Sequence, residues 1–267
     1  MVITTDGLSL AVTDVGPRDA RACIFIHGIA QSKMSWESVL AGPLASNHRF
    51  VAFDLRGHGE SDKPADAAAF ARSRLANDLA AIITDLRLEK PHVVAWSFGA
   101  VAVGEYLRQH GEKALGGIVF VAGAVRTGRD ARELFGPVML EHARALLAED
   151  PSAYAAGARE FLHGSTALPI APEMLERALE EMLLVPAHVR RTFLSGGEDY
   201  REEISRTTIP MATIHGERDA VNLPAMSELI GGLRAGVRHV SLPNVGHTPW
   251  LEDPRAFHDA LRSVLHE

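Results

Sequence analysis

Three residues that together could perform nucleophilic catalysis occur in this chain in the order Ser97, Asp219 and His247. A serine hydroxyl is a weak nucleophile at neutral pH until an imidazole accepts its proton, and a carboxylate can orient that imidazole and stabilise its charge. Each of the three follows a short apolar run typical of a buried strand, where a side chain can point off the end of a sheet. The pattern predicts Ser97 as nucleophile, His247 as general base and Asp219 as the orienting acid.

The segment around Ser97 reads VVAWSFGA, residues 93–100, in which a β-branched apolar run gives way to small residues and then to a helix-compatible stretch. A strand-to-helix elbow holds its nucleophile in strained backbone geometry, so the residues two positions to either side must be small. Ala95 and Gly99 meet that need, although Ala95 replaces the first glycine of the usual G-x-S-x-G pattern. The alternative for this pentapeptide alone is a serine in an ordinary strand-to-helix loop.

Two carboxylates compete for the acid's role, because Glu217 and Asp219 both lie in the polar loop after the strand predicted at residues 210–214. His215, Glu217 and Asp219 also alternate as metal ligands can. A single histidine with two carboxylates makes a weak zinc site, so we predict no metal here. His247 lies in a loop bounded by glycine and proline, after the strand predicted at residues 237–242.

On these segments the chain resembles the α/β-hydrolase family, and the resemblance spans nearly its whole length. That family orders its catalytic residues as serine, aspartate and histidine, each on the loop after a strand. Residues 24–29 (IFIHGI) are similar to the family's strand and His-Gly oxyanion loop. Residues 54–61 (DLRGHGES) are similar to its D-x-R-G-x-G-x-S turn.

The resemblance implies an oxyanion hole built from backbone N–H groups. By position these belong to Ile29, which follows the His-Gly pair, and to Phe98, which follows the nucleophile. Their side chains would matter only as pocket walls. His27 is expected to support the oxyanion loop and to take no part as a second base.

Strands alternate with amphipathic helices along most of the chain, which predicts an α/β fold with a mostly parallel, doubly wound sheet. The alternation stops between residues 126 and 208, which carry helix-period apolar patterns broken by prolines and no convincing strand. We therefore predict a core of residues 1–125 and 209–267, with residues 126–208 inserted as a helical cap.

The cap is expected to roof a largely hydrophobic pocket over Ser97 and to set a preference for small to medium apolar or aromatic groups. The side chains predicted to line this pocket are large and apolar: Trp96, Met139, Phe161, Met182 and Trp250.

Composition argues against two classes of function, nucleic-acid binding and action at a membrane. The net charge of −7 and the dispersed basic residues argue against a nucleic-acid partner. No run of 18 apolar residues and no signal peptide occurs, and Cys23 is the only cysteine, so we expect a cytoplasmic protein that does not act at a membrane. The expected partner is a small-molecule substrate, with no cofactor; homo-oligomerisation stays open.

The favoured hypothesis is hydrolysis of a carboxylic ester or lactone through an acyl-serine intermediate. The same residues would also serve C–C bond hydrolysis of a dioxo acid, or cofactor-free perhydrolysis as in non-haem haloperoxidases. A serine at the elbow argues against the dehalogenase and epoxide hydrolase branches, which attack with aspartate. A non-enzymatic small-molecule receptor on the same fold is the third alternative.

Overall fold

A seven-stranded sheet forms the centre of the computed structural model, which describes residues 1–265. The sheet order is β3-β5-β4-β6-β7-β8-β9, and only the pairing of β3 with β5 is antiparallel. A small antiparallel pair, β1 (Val2–Ile3) and β2 (Ser9–Leu10), stands apart from it. The strands of the main sheet are β3 Val12–Val15, β4 Ala22–Ile26, β5 Arg49–Phe53, β6 His92–Trp96, β7 Gly117–Val121, β8 Met211–Gly216 and β9 Arg238–Leu242.

Alternate residues of the buried strands enter two different hydrophobic clusters. Ile24 and Ile26 of β4 pack on one face of the sheet, whereas Cys23 and Phe25 pack on the other. This follows from the two-residue period of a strand, and burial on both faces explains why these strands are continuously apolar. The helices supply the matching apolar stripes: α1 Glu37–Leu40, α2 Arg72–Asp85, α3 Gly99–His110, α9 Ala225–Leu233, α10 Pro249–Glu252 and α11 Pro254–Leu265. The predicted mostly parallel, doubly wound sheet is confirmed.

Between β7 and β8 the described chain is helical and contributes no strand to the sheet. The helices of this stretch begin at prolines in several cases, where the missing N–H of proline costs nothing. They are α4 Pro137–Leu146, α5 Pro151–Ser165, α6 Pro172–Leu183, α7 Ala187–Leu194 and α8 Arg201–Ser205. We call residues 126–208 the inserted segment; its role as a cap stays a prediction.

The loops after β4, β6, β7, β8 and β9 meet at the carboxyl edge of the sheet, because these strands are parallel. Ligand sites of open α/β sheets occur at this edge. In residues 1–265, none of the helices has the length and apolar character needed to cross a bilayer.

Candidate active site

Ser97 directly follows β6 and has a φ of 51°, in the left-handed region that a non-glycine residue rarely occupies. Its N–H donates to Val121 O at 3.0 Å, which anchors the turn to β7. Two residues later, a Cβ on Gly99 would lie 2.8 Å from Ile26 O, so only glycine lets α3 start this close to β4. The strained serine predicted from the sequence is present, and Ala95 in place of glycine is compatible with it.

His247 and Asp219 form a buried pair. The Nδ1–H of His247 donates to Asp219 Oδ2 at 2.7 Å. The other carboxylate oxygen, Asp219 Oδ1, accepts hydrogen bonds from the N–H groups of Val221 at 2.8 Å and Asn222 at 3.0 Å. Burial alone would raise the pKa of Asp219, but the adjacent imidazoles of His247 and His215 hold it well below its usual range. Asp219 is therefore an ionised carboxylate that orients His247 with its Nε2 directed away from the acid.

His215 contacts the same carboxylate. Its Nε2 lies 3.1 Å from Asp219 Oδ2 and 2.9 Å from Asn222 O, and its Nδ1 lies 2.6 Å from Ser227 Oγ. Both neighbours of Nε2 are acceptors, so Nε2 carries the proton and Nδ1 accepts from the serine. His215 thus braces Asp219.

Glu217, the alternative acid, is exposed and accepts a hydrogen bond from Ser241 Oγ at 2.9 Å. The structure brings Asp219, and not Glu217, to His247. Residues 1–265 contain no group of three histidine, cysteine or acidic side chains arranged to hold a metal ion.

The hydroxyl of Ser97 has one polar partner among residues 1–265, the Nδ2 of Asn222 at 3.5 Å. No hydrogen bond joins Ser97 Oγ to His247 among residues 1–265, and Trp96 Nε1, in the residue before the serine, donates to His247 O at 3.0 Å. Hydrogen bonds of this kind often form fully only when substrate is bound. Trp96 thus links the turn that carries Ser97 to the loop that carries His247.

The predicted oxyanion donors, the N–H groups of Ile29 and Phe98, have no acceptor within residues 1–265. A Cβ on Gly28 would lie 3.3 Å from Ser97 Cβ, so the loop carrying Ile29 passes directly beside Ser97. His27 fixes this loop: its Nδ1–H donates to Gly28 O at 2.7 Å, and its Nε2 accepts from Leu55 N at 3.0 Å. Two unpaired donors near a nucleophile can hold a developing oxyanion.

A cavity of about 120 Å³ adjoins these loops, and its lining is mainly apolar. Of the side chains predicted to line the substrate pocket, Trp96 and Trp250 line this cavity, whereas Met139, Phe161 and Met182 do not; Ser97 and His247 are not among its lining residues. Phe161 and Met182 are buried in the hydrophobic core and Met139 packs against it. The helix α6 instead presents another of its faces to the cavity, through Met174, Leu175, Ala178 and Glu181.

Two buried polar residues of the site were not predicted. Asn222 contacts both Ser97 and Asp219. Glu252 accepts hydrogen bonds from both sides of His247, at Gly246 N and Thr248 N. Each follows a predicted site residue by three to five positions, which is the one signal the sequence offers.

The chain is similar to known proteins along most of its length. The family model described as "Alpha/beta hydrolase family" matches residues 23–260. The structure of esterase RhEst1 from Rhodococcus sp. ECU1013 is 26% identical, with a TM-score of 0.91, over 100% of this chain and 98% of that one. The non-heme chloroperoxidase CPO-A1 of Kitasatospora aureofaciens is 25% identical over 82% of this chain and 80% of that protein.

A stronger but shorter similarity links the chain to "Probable oxidoreductase EphD" of Mycobacterium tuberculosis. The two are 36% identical over 112 residues, which are 42% of this chain and 19% of that protein. The match therefore spans about a fifth of that relative's length.

Proposed function

The chain belongs to the alpha/beta hydrolase family, and on that basis we propose that it is a serine hydrolase cleaving carboxylic esters or lactones through an acyl-serine intermediate. The observation that carries the proposal is the left-handed φ of 51° at Ser97, a strained conformation placed at the sheet edge beside the His247–Asp219 pair. Backbone strain of this kind persists where function needs it.

In the proposed reaction, Ser97 Oγ attacks the carbonyl carbon while His247 Nε2 takes the hydroxyl proton. The carbonyl oxygen becomes an oxyanion, which accepts hydrogen bonds from the backbone N–H groups of Ile29 and Phe98. His247 then gives its proton to the leaving alcohol, and the acyl-serine remains. A water molecule, deprotonated by His247, attacks the acyl carbon of this ester. The bond from Ser97 Oγ to the acyl carbon then breaks, His247 returns the proton to Oγ, and the carboxylic acid leaves. Asp219 stays ionised throughout and stabilises the imidazolium.

The cavity beside Trp96 and Trp250 suits an apolar substrate group. It lies between α6 of the inserted segment and the loops that carry the candidate residues, so we propose that the inserted segment acts as the predicted cap and restricts substrate size. Small to medium apolar or aromatic groups fit a cavity of about 120 Å³.

Perhydrolysis is a second candidate, favoured by the similarity to the chloroperoxidase of Kitasatospora aureofaciens. Hydrogen peroxide would attack the acyl-serine in place of water, releasing a peracid and free Ser97. The same residues serve both reactions, so the nucleophile that consumes the acyl-enzyme decides between them.

The test is turnover of p-nitrophenyl acetate and butyrate and of γ-butyrolactone, with peracid formation measured in added peroxide. Ser97→Ala should lower kcat by on the order of 10⁴-fold or more. Ser61→Ala is the matched control, because Ser61 is also buried but donates to Asp54 O at 2.7 Å. Near-normal turnover by Ser97→Ala, or no activity of the unsubstituted protein on any of these substrates, would contradict the proposal.

A further inference from the structure

We propose that Asn222 is a positioning residue that orients the hydroxyl of Ser97 and couples it to the turn carrying Asp219. This inference rests on the proposed function. Asn222 is buried, with 1% of its surface exposed, and lies at the point where the acid turn meets the end of β7.

The amide nitrogen of Asn222 faces the nucleophile. Its Nδ2 donates to Ala122 O at 2.7 Å and points its second hydrogen toward Ser97 Oγ at 3.5 Å. Ala122 O is an acceptor only, so the amide cannot be turned around without losing this bond. The orientation of the NH₂ group is therefore determined by Ala122, directly after β7.

The backbone of the same residue holds the acid. Asn222 N donates to Asp219 Oδ1 at 3.0 Å, and Asn222 O lies 2.9 Å from the Nε2 of His215. Next along the chain, Leu223 N donates to Leu134 O at 2.9 Å, which fixes the turn to the start of the inserted segment. Asn222 thus contacts Asp219, Ser97 and the His215 that hydrogen-bonds Asp219.

The consequence concerns the direction of the serine proton. Because Ser97 Oγ accepts from Asn222, its own hydrogen remains free to be donated to His247 Nε2. The N–H also favours the negative charge that grows on Oγ as the proton leaves. We expect Asn222 to speed acylation and to leave substrate affinity nearly unchanged.

The experiment compares Asn222→Leu and Asn222→Asp with Asn47→Asp, an exposed asparagine as matched control. Both Asn222 variants keep the backbone contacts of residue 222 and lose the donor to Ser97. We expect kcat for p-nitrophenyl acetate, and the rate of phosphonylation of Ser97 by a fluorophosphonate, to fall about tenfold, with KM changed less than twofold. The control should behave as the unsubstituted protein.

A phosphonylation rate within twofold of normal in both Asn222 variants, or a loss seen entirely in KM, would overturn the inference. Asn222→Asp is close to isosteric, so it decides the matter if the leucine variant does not fold. The proposed function is tested separately, because its failure would appear as activity that survives Ser97→Ala.

Glu252 supports a second, independent inference: we infer that it positions His247 by joining the histidine loop to the inserted segment. Its side chain is 8% exposed and lies in α10, five residues after the histidine. Its Oε2 accepts N–H groups from Gly246 at 2.8 Å, Ala167 at 2.7 Å and Leu168 at 3.0 Å. Its Oε1 accepts from the N–H and the hydroxyl of Thr248, at 3.1 and 3.2 Å.

These contacts hold His247 from both sides. The backbone N–H of His247 itself donates to Ser165 O at 2.9 Å, again in the inserted segment. A carboxylate that accepts several N–H groups is a strong and directional anchor. Movement of residues 165–168 would therefore displace the histidine loop.

Glu252→Gln and Glu252→Ala test this, with Glu180→Gln, an exposed glutamate of α6, as control. We expect kcat and the rate of Ser97 phosphonylation to fall about tenfold or more in the alanine variant and less in the glutamine variant, with KM changed less than twofold. Amide hydrogen exchange, read by mass spectrometry, should accelerate in peptides containing residues 165–168 and 246–248. Accelerated exchange with unchanged kcat would refute the positioning role, and unchanged exchange would refute the anchoring contacts.

Discussion

Lowering the pH from 7 to 5 should destabilise the folded protein through His27. This imidazole is fully buried, and burial lowers its pKa from 6.5 to about 4. Its Nε2 accepts from Leu55 N and its Nδ1 lies against Gly28 O, so the neutral ring satisfies both neighbours. Protonation would place a second N–H against the N–H of Leu55, which the loop cannot accommodate.

The size of the effect follows from the two pKa values. The unfolded chain binds a proton at His27 below about pH 6.5, whereas the folded chain stays neutral until about pH 4. The folded protein is therefore most stable, as far as His27 is concerned, above the unfolded pKa. Stability is lost as the pH falls, and the loss reaches about 3 kcal/mol below pH 4. Between pH 7 and pH 5 the loss from this one residue is about 2 kcal/mol.

Urea unfolding, followed by tryptophan fluorescence at pH 7 and pH 5, measures the fall in the free energy of unfolding. His58 and His92, whose pKa values burial also lowers, to about 3 and about 4, add to the total fall. The decisive comparison is therefore with His27→Gln, which should lose about 2 kcal/mol less than the unsubstituted protein over the same interval. His163→Gln, at an exposed position, is the control. Equal losses in the unsubstituted protein and in His27→Gln would show that His27 does not contribute to the pH dependence of stability.

Three further predictions concern single contacts. Gly99→Ala should lower the free energy of unfolding by about 1–3 kcal/mol, measured by urea denaturation, because the new Cβ would lie 2.8 Å from Ile26 O; unchanged stability would show that the elbow is not tightly packed. Asp78→Ala should cost at most about 3–5 kcal/mol in the same assay, since it removes the fully buried partner of Arg56 and leaves the guanidinium paired with Asp6 alone, at 3.0 Å. Asp219→Asn should lower kcat by on the order of 10⁴-fold with the fold intact by circular dichroism, because the imidazole loses its orienting acceptor; full activity would assign the acid elsewhere.

Much of the fold could be predicted because local patterns determine it. The apolar run that precedes Ser97 in the sequence is present as the strand His92–Trp96. The strand expected at residues 210–214 is present as Met211–Gly216, and continues toward the acid turn. The strand expected at residues 237–242 is present as Arg238–Leu242.

The order of Ser97, Asp219 and His247 was readable because each follows a strand of one parallel sheet. The sequence does not predict Asn222 and Glu252, because their contacts with Ser97 and Ala167 join residues 125 and 85 positions apart, and their closeness in sequence to Asp219 and His247 does not reveal these contacts. The pocket residues show a related limit. An apolar helical stripe does not reveal whether it faces a cavity or the core, and Met182 on α6 faces the core.

Covalent trapping of Ser97 asks whether this residue is the nucleophile of a hydrolase. The protein is incubated with a fluorophosphonate, digested and mapped by tandem mass spectrometry, with Ser97→Ala treated in parallel. We predict one phosphonyl group per chain, located on Ser97, and no labelling of the alanine variant. An adduct on any other residue, or stoichiometric labelling that persists in Ser97→Ala, would contradict the account.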